Sequence, residues 1–269
     1  GGIPMSGHGE AFDELVNELR KDAESGLGGS TSLLDGQLNS FDVPDPRILI
    51  VGCGGSGNNT LNRITHLGVE GAVTVAINTD KQHLDHTRAL QKLLVGKHIT
   101  RGLGAGGDPS TGRRCAEAGR DMIKRIVTGA DLVFIASGMG GGSGTGICPI
   151  VAEEAKSAGA LVVGIVTTPF HVERKQRMNR ALEGLEALRR TADAVLVLDN
   201  NRLLHYVPNL PLDEAFSIMD QLVAEIVKGI VETITMPSLI NLDFADVETI
   251  MKGMGKAMMG TGEAEGEKR

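Results

Sequence analysis

The chain has 269 residues, 41% of them hydrophobic and 23% charged, which suits one sizeable α/β domain of a soluble globular protein. Its formal net charge of −7 argues against a general binder of nucleic acid or of anionic membranes. The same charge implies that a bound phosphate is held by backbone dipoles and a metal ion, and not by a lysine cluster. There is no direct membrane span, since no apolar run approaches roughly 20 residues. Three separated cysteines (Cys53, Cys115 and Cys148) suit a reducing compartment, so we expect a cytoplasmic location.

Residues 1–45 have the composition of an extension attached to a main domain. Phe12, Leu15 and Leu19 have helical spacing, so a short amphipathic helix is predicted over 10–24. The glycine- and serine-rich stretch that follows is typical of a flexible connector. Because the polar face of the helix is acidic, we expect it to dock on its own domain or on a neighbouring subunit, and not on a membrane.

From residue 47 onward, apolar runs alternate with helical patterns. The apolar runs predict strands buried on both faces of a parallel sheet, at 47–52, 73–78, 132–137, 160–168 and 194–198. The helical patterns cover 57–67, 111–128, 145–158, 174–190 and 213–235. The alternation predicts an α/β fold with a doubly wound, mostly parallel, Rossmann-like sheet over 46–235 that ends in a long helix. Ligands of such sheets lie outside the carboxyl ends of the strands, so the residues after each strand carry the functional argument.

The first strand leads into the glycine-rich stretch "GCGGSGNN". Gly52, Gly54 and Gly57 satisfy the GxGxxG pattern of dinucleotide-binding folds, and Asn78 and Asp80 follow near the position expected for a ribose-binding acid. On its own this pattern favours an NAD-dependent or flavin oxidoreductase, which is the alternative interpretation.

Two more glycine-rich segments follow at the same predicted sheet edge, "TRGLGAGGD" at 100–108 and "GMGGGSGTG" at 138–146. A dinucleotide-binding enzyme has no need of two phosphate-binding loops in one half of a sheet. The Walker sequence GxxxxGK[ST] is absent, which excludes a P-loop NTPase. Three glycine-rich segments therefore predict one polyphosphate that is contacted from several sides, in an unusual nucleotide site.

The segment "GGGSGTG" at 140–146 resembles the tubulin signature loop, and nearly all of 47–260 is similar to the tubulin/FtsZ family of cell-division GTPases. The motifs "AINTD", "TTPFHVERKQRM", "NLPLDEAF" and "LINLDFADV" occur in the family's order. Ser143 stands where the family usually has Thr, and the paired Asn after the first glycine segment resembles archaeal members. The resemblance implies a GTPase that binds GTP or GDP with Mg²⁺ and polymerises head to tail. A tubulin-superfamily protein of cell shape, or one that holds GDP without turnover, stays an open alternative.

The resemblance also implies partners and phosphate-binding residues. The first partner is the chain itself, and membrane-tethering and division proteins are expected to bind through parts outside this chain. A magnesium ion held through water is expected near Asp80. The residues implied around the phosphates are Gly54, Gly55, Ser56, Gly57, Asn58, Asn59, Asn78, Asp80, Ala105, Gly106, Gly107, Gly140, Gly141, Gly142, Ser143, Gly144, Thr145 and Gly146.

Five further residues are implied for the sugar and the base. Glu173 would accept hydrogen bonds from the ribose hydroxyls, and Arg177 would reach the sugar or base; the alternative is an exposed ion pair. Asn200 would meet the guanine edge, or else cap the helix "NRLLHY". Phe216 would stack on the base or pack in the core. Asp220 would accept from guanine N1–H and N2–H₂, which adenine does not offer.

Asn241, Asp243 and Asp246 in "NLDFADV" are implied by the resemblance to activate GTP hydrolysis, although Asp243 could simply cap a helix. From Asp220 to Thr235 the helix rises about 22 Å, at ~1.5 Å per residue. Acids beyond that helix would reach the nucleotide of the next subunit in a head-to-tail stack more easily than their own, and such a contact forms filaments.

Residues 236–269 are expected to form this acidic loop, a following helix and the truncated start of a C-terminal domain. A chain without the rest of that domain is expected to bind nucleotide but to polymerise and hydrolyse GTP poorly. Robust GTP-dependent filaments in a sedimentation assay would contradict that expectation.

Overall fold

The computed structural model describes residues 46–207 and 209–235. Within them six strands form one parallel sheet in the order β3-β2-β1-β4-β5-β6. The strands are β1 (Ile48–Cys53), β2 (Ala72–Asn78), β3 (Gln91–Leu94), β4 (Leu132–Gly138), β5 (Leu161–Thr168) and β6 (Ala194–Asp199). The predicted doubly wound parallel sheet is confirmed. Its strand order reverses between β1 and β4, and a ligand crevice is expected at that switch point.

Helices cover both faces of the sheet, because alternate side chains of each strand enter two different cores. Leu49 and Val51 of β1 face one core, and Ile48 and Ile50 face the other. The described helices are α1 (Gly54–Leu67), α2 (Lys81–His86), α3 (Lys97–Thr100), α4 (Pro109–Ala118), α5 (Arg120–Val127), α6 (Ser143–Ser157), α7 (Lys175–Thr191), α8 (Asn200–Tyr206) and α9 (Leu212–Thr235). Helices α4 to α7 pack on the first core, and α1, α2, α8 and α9 pack on the second. No helix in the described ranges is both long and apolar enough to cross a bilayer.

Several element boundaries differ from those predicted. Strand β3 was not predicted, because Gln91 and Lys92 are exposed at the sheet edge and interrupt the apolar pattern. The single helix predicted over 111–128 is two helices, α4 and α5, that meet at Gly119. A Cβ on Gly119 would lie 2.8 Å from Val95 Cγ1, so the chain bends where only glycine fits. Helix α1 begins at Gly54 and α6 at Ser143, so part of each predicted glycine loop is helix.

Helix α9 confirms the predicted long helix. It runs from the carboxyl ends of the strands to their amino ends. Near its start, Asp220 accepts a hydrogen bond from Ser56 in the first turn of α1. Near its end, Lys228 Nζ donates to the carbonyl of Leu67 at 3.1 Å, and Thr235 packs against Gly71 just before β2 begins. The helix therefore connects the edge where the strands end to the edge where they begin. The predicted helix at 10–24 and residues 236–269 lie outside the described ranges.

Candidate functional site

The three glycine-rich segments converge at the carboxyl-end edge of the sheet. A Cβ on Gly54, at the start of α1, would lie 2.5 Å from the backbone nitrogen of Gly144. A Cβ on Gly142 would lie 2.7 Å from the nitrogen of Asp108 and 2.9 Å from Ala105 Cβ. The turn at 138–144 is therefore in contact with both the start of α1 and the loop at 104–108. This contact brings the separate segments of the sequence into one site.

Backbone conformation and close packing explain the glycines at two of these positions. Gly54 has a φ of 69° and Gly140 a φ of 99°, which side chains other than glycine rarely adopt. At Gly140 a Cβ would also lie 2.7 Å from the carbonyl oxygen of Arg177. The turn is thereby held against the start of α7.

Two helix N-termini open into this crevice. Helix α1 has 14 residues and α6 has 15, and neither has a side chain capping its first N–H groups or an acidic residue in its first turn. Uncapped N–H groups and the positive end of the helix dipole attract anions. Around Gly106 and Gly141 a Cβ would meet nothing within 4 Å, so the backbone borders open space there. These features together fit a phosphate chain lying between the turn and the loop.

Three of the predicted phosphate-contact side chains lie in the interior. With its amide oriented to satisfy both groups, Asn58 Nδ2 donates to the carbonyls of Gly52 and Gly54 at 3.0 and 3.1 Å, and Asn58 Oδ1 accepts from Asn78 Nδ2 at 3.0 Å. Thr145 Oγ1 accepts from the nitrogen of Gly140 at 2.8 Å. Since all three are at most 2% exposed, their side chains support the turns instead of facing the crevice. Contact of these three residues with a nucleotide stays a prediction.

Ser143 and Asp80 lie at the mouth of the crevice. The hydroxyls of Ser143 and Thr79 form a hydrogen bond of 2.6 Å, which joins the start of α6 to the end of β2. Asp80 Oδ1 accepts from the nitrogen of His83 at 3.0 Å and caps α2. An open groove of about 320 Å³ adjoins them, and its lining residues are Asn59, Asn62, Asp80, Gln82, His83 and His86. No three His, Cys, Asp or Glu side chains in the described part of the chain are grouped to hold a metal ion.

A largely buried carboxyl group defines one end of the site. Asp220 Oδ1 accepts from the hydroxyls of Ser56 at 3.4 Å and Thr60 at 3.5 Å. Burial raises the pKa of Asp220 to about 7, and these hydrogen bonds together with the nearby Arg63 oppose the rise. Thr60 and Arg63 were not among the predicted site residues. Their spacing from Ser56 on α1, four and seven residues, was the available signal.

Asn200 and Phe216 lie near this end of the site. The cap of α8 is Asp199, whose side chain accepts from the nitrogen of Asn201, so the alternative role of Asn200 as that cap is wrong. Asn200 is 3% exposed, and its Oδ1 has no hydrogen-bond partner among the described residues. A buried acceptor without a donor is costly, so this atom is suited to a donor from a ligand. Phe216 packs edge to face on the buried Phe170, with ring centroids 5.2 Å apart.

Glu173 and Arg177 form an ion pair but do not share one helix face. Glu173 ends a short 3₁₀ helix, Arg177 lies in α7, and Arg174 between them has a φ of 80°. Arg177 Nε donates to Glu173 Oε2 at 3.0 Å, and the nitrogen of Phe170 donates to Oε1 at 2.7 Å. The Glu173 side chain is 6% exposed and the Arg177 side chain 48%, so the choice between a ribose contact and an exposed ion pair stays open.

Asn241, Asp243 and Asp246 lie outside the described residues. The described chain leads toward them through α9, which ends at the edge of the sheet opposite the glycine segments.

Comparison with known proteins gives a consistent result. A family model described as "Tubulin/FtsZ family, GTPase domain" matches residues 47–208. The chain is 61% identical over 254 residues to "Cell division protein FtsZ 2" of Haloferax volcanii, covering 94% of this chain and 62% of that protein. It is 50% identical over 255 residues to "Cell division protein FtsZ 2" of Methanocaldococcus jannaschii, covering 95% of this chain and 65% of that protein. A solved M. jannaschii structure titled "FtsZ dimer, empty" superposes with a TM-score of 0.77 at 50% identity, covering 79% of this chain and 62% of that one. The chain thus spans less than two thirds of the length of each of these relatives.

Proposed function

Since the chain belongs to the tubulin/FtsZ family, we propose that it binds and hydrolyses GTP and assembles head to tail into filaments that serve cell division. One observation carries this proposal: the glycine segments and two uncapped helix N-termini meet in one crevice that has the partly buried carboxyl group of Asp220 at one end. A guanine nucleotide has the matching polarity, with anionic phosphates at one end and N–H donors at the other.

The phosphates are proposed to lie between the 138–144 turn, the 104–108 loop and the first turn of α1. Backbone N–H groups and helix dipoles would stabilise the negative charge of the phosphates. This agrees with the chain's net charge of −7, which argues against a lysine cluster. Ser143 contributes a hydroxyl group, while the Ser56 hydroxyl is directed to Asp220. A magnesium ion bound with the nucleotide would neutralise phosphate charge near Asp80, with water between the ion and the carboxylate.

The guanine base is proposed to lie at Asp220 and Asn200. The ionised Asp220 accepts from N1–H and N2–H₂, and the unpaired Oδ1 of Asn200 is a second acceptor near the base. Adenine has an acceptor at N1 and lacks the 2-amino group, so it would leave the buried carboxylate unpaired. Phe216 offers its ring to the base, and Glu173, held by Arg177, accepts from the ribose hydroxyls.

Hydrolysis is proposed to take place between subunits. Helix α9 starts beside the nucleotide and ends at the opposite edge of the sheet. Asn241, Asp243 and Asp246 follow that end, and we propose that the two carboxylates polarise the attacking water at the nucleotide of the next copy. Such a head-to-tail contact does not close on itself, so copies add without limit.

Nucleotide extraction tests the proposal most directly. We expect purified protein to release GDP or GTP on denaturation, and Asp220→Asn to release at least tenfold less. Asp213→Asn, in the exposed first turn of the same helix, is the matched control and should match the unaltered chain. The alternative NAD-dependent oxidoreductase is not favoured by the family match. It would be supported instead by recovery of a nicotinamide cofactor that Asp220→Asn leaves unchanged.

The cellular role is proposed from the relatives' names. Proteins 50 to 61% identical to this chain are called cell division proteins, which favours septation over the alternative role in cell shape. We propose a cytoplasmic location, with membrane-tethering partners bound through parts outside this chain. A fluorescent fusion is expected to form a ring at the division site, and a pattern confined to the cell flanks would favour the cell-shape role.

A further inference from the structure

The 104–108 loop is held by one side chain that was not among the predicted site residues. Arg180 Nη1, in the second turn of α7, donates to the carbonyl oxygen of Gly107 at 2.7 Å. The two residues are 73 positions apart in the chain, so this bond joins distant segments. It ties the loop to the helix that carries Arg177, and it lies outside the set of residues that the family resemblance implies.

The loop has few other bonds that fix its shape. Its backbone is pinned at its ends, where Gly104 N donates to the carbonyl of Thr79 at 3.2 Å and Asp108 N to the carbonyl of Ala105 at 3.0 Å. Between those points Gly106 and Gly107 have φ values of 61° and 76°. Among the described residues, Arg180 is the one side chain that hydrogen-bonds to the 104–107 backbone. Glycines in such a segment have large conformational freedom to lose, so an added bond has a large effect on the loop's position.

The direction of the bond determines what the loop presents to the crevice. The carbonyl of Gly107 points toward Arg180 on α7, and the Cβ position of Gly142 lies against Gly107 and Asp108. Next to Gly107, Gly106 borders open space. Because Arg180 fixes the Gly107 carbonyl, the backbone at 105–106 is held next to the 138–144 turn. The proposed function places the phosphates there.

We propose that Arg180 is a positioning residue for the phosphate end of the nucleotide. It holds the 104–108 loop through the Gly107 carbonyl, so that the loop backbone is already placed when the nucleotide binds. This inference rests on the proposed function, because it assumes that the ligand of the crevice is a guanine nucleotide. It predicts that losing Arg180 weakens phosphate binding and leaves the base end at Asp220 intact.

The test compares the affinities of the 269-residue chain for GTP and GDP. Arg180→Ala is expected to weaken GTP binding about five- to tenfold, and GDP binding by a smaller factor, since GDP presents less phosphate to the loop. Arg180→Lys keeps a donor and the charge and is expected to restore affinity to within about twofold. Arg190→Ala removes a guanidinium whose bonds stay within α7 and serves as the matched control.

Hydrogen exchange in the nucleotide-free chain distinguishes two roles of Arg180. Either its side chain holds the 104–108 loop in place, or its positive charge alone favours phosphate binding. Arg180→Ala is expected to speed amide exchange at 104–107 severalfold and to leave the 138–144 turn unchanged. Unchanged exchange together with an unchanged ratio of GTP to GDP affinity overturns the inference. If the unaltered chain binds no guanine nucleotide at all, the proposed function fails instead, and the exchange result still decides whether Arg180 holds the loop.

Discussion

Asp220 combines burial, a hydroxyl cluster and a position at one end of the crevice. Its pKa of about 7 is raised chiefly by desolvation, and the ionised form is kept accessible by Ser56, Thr60 and Arg63. A carboxyl group that titrates near neutral pH is an acceptor for guanine only when it has lost its proton. If Asp220 binds the base as proposed, that binding has a pH dependence that an ordinary Asp would not show.

Guanine nucleotide affinity is expected to fall as the pH is lowered through 7. With a pKa of about 7, Asp220 is about nine-tenths ionised at pH 8 and about one-tenth at pH 6, so affinity should drop about five- to tenfold between them. Equilibrium binding of a fluorescent GDP at fixed ionic strength measures this change. Asp213→Asn should keep the full dependence, and a flat profile in the unaltered chain would contradict the role of Asp220.

Gly141 offers a way to separate binding from folding. Its Cβ position meets nothing within 4 Å, so Gly141→Ala should change the free energy of unfolding by less than ~0.5 kcal/mol. The same methyl group would occupy the space proposed for phosphate and should lower GTP affinity at least tenfold. Gly142→Ala, whose Cβ would lie 2.7 Å from Asp108 N, should lower stability as well. Thermal denaturation and nucleotide titration check both, and intact binding by Gly141→Ala would place the phosphates elsewhere.

Two of the three glycine segments could be placed from the sequence because they follow the recognisable strands β1 and β4, whereas the segment at 100–108 follows the unpredicted β3 and was identified from its glycines alone. The supporting contacts could not be predicted, because they join residues far apart in the chain. Ser56 and Asp220 are 164 residues apart, and Arg180 and Gly107 are 73 apart. Pattern and spacing report only local neighbours, so these pairs became visible only once the sheet order was known.

Among the secondary-structure elements, the strands and helices that bury an uninterrupted apolar face could be predicted from the sequence. Strands β1, β2, β4, β5 and β6 and the long helices follow from this rule. Strand β3 lies at an edge, where half of its side chains are in water, and its pattern is too short and polar to stand out. The break at Gly119 was missed, and the contact that leaves no room for a side chain there, with Val95, is again not local.

Arg120 joins three helices on the face opposite α9. It donates to Glu117 of α4 at 2.8 Å and to Glu153 of α6 at 3.0 Å, and it also pairs with Glu154, whose side chain is 10% exposed. These carboxylates raise the pKa of the Arg120 guanidinium, and Arg120 in turn lowers the pKa of Glu117.

Arg120→Ala is expected to lower the free energy of unfolding by about 1–3 kcal/mol, because Glu154 is left buried without its partner. Urea denaturation at fixed salt measures the loss, and adding Glu154→Gln should recover part of it. Arg113→Ala, which removes a more exposed pair to Glu117 at 3.9 Å, should cost less than ~0.5 kcal/mol. Equal losses in the two variants would show that the buried carboxylate is not the cause.

At the scale of the whole molecule, the proposed function assigns different chemistry to the two ends of the strands. The proposed nucleotide site occupies the edge where the strands end, and α9 leads away from it to the other edge. If hydrolysis needs the far edge of a second copy, a copy that cannot bind nucleotide can still support turnover by its neighbour.

Mixing a variant impaired in nucleotide binding with the unaltered chain tests whether one copy supplies the catalytic acids to the nucleotide of another. Asp220→Asn, which retains Asp243 and Asp246, is expected to raise phosphate release severalfold when it is added in excess to dilute unaltered chain. The double variant Asp220→Asn with Asp243→Ala should give no increase. Release that depends only on the concentration of the unaltered chain, whichever variant is added, would place the catalytic acids and the nucleotide in one copy.

Helix α9 also has a mechanical consequence. A helix of 24 residues is about 36 Å long, Asp220 lies in its third turn, and its last turn rests against Gly71. Such a rod is a lever arm: a tilt of ~10° about its first turn would carry its last turn about 6 Å. A small rearrangement at the proposed base site would thus become a larger displacement at the other end of α9, where the proposed contact with a neighbouring copy lies.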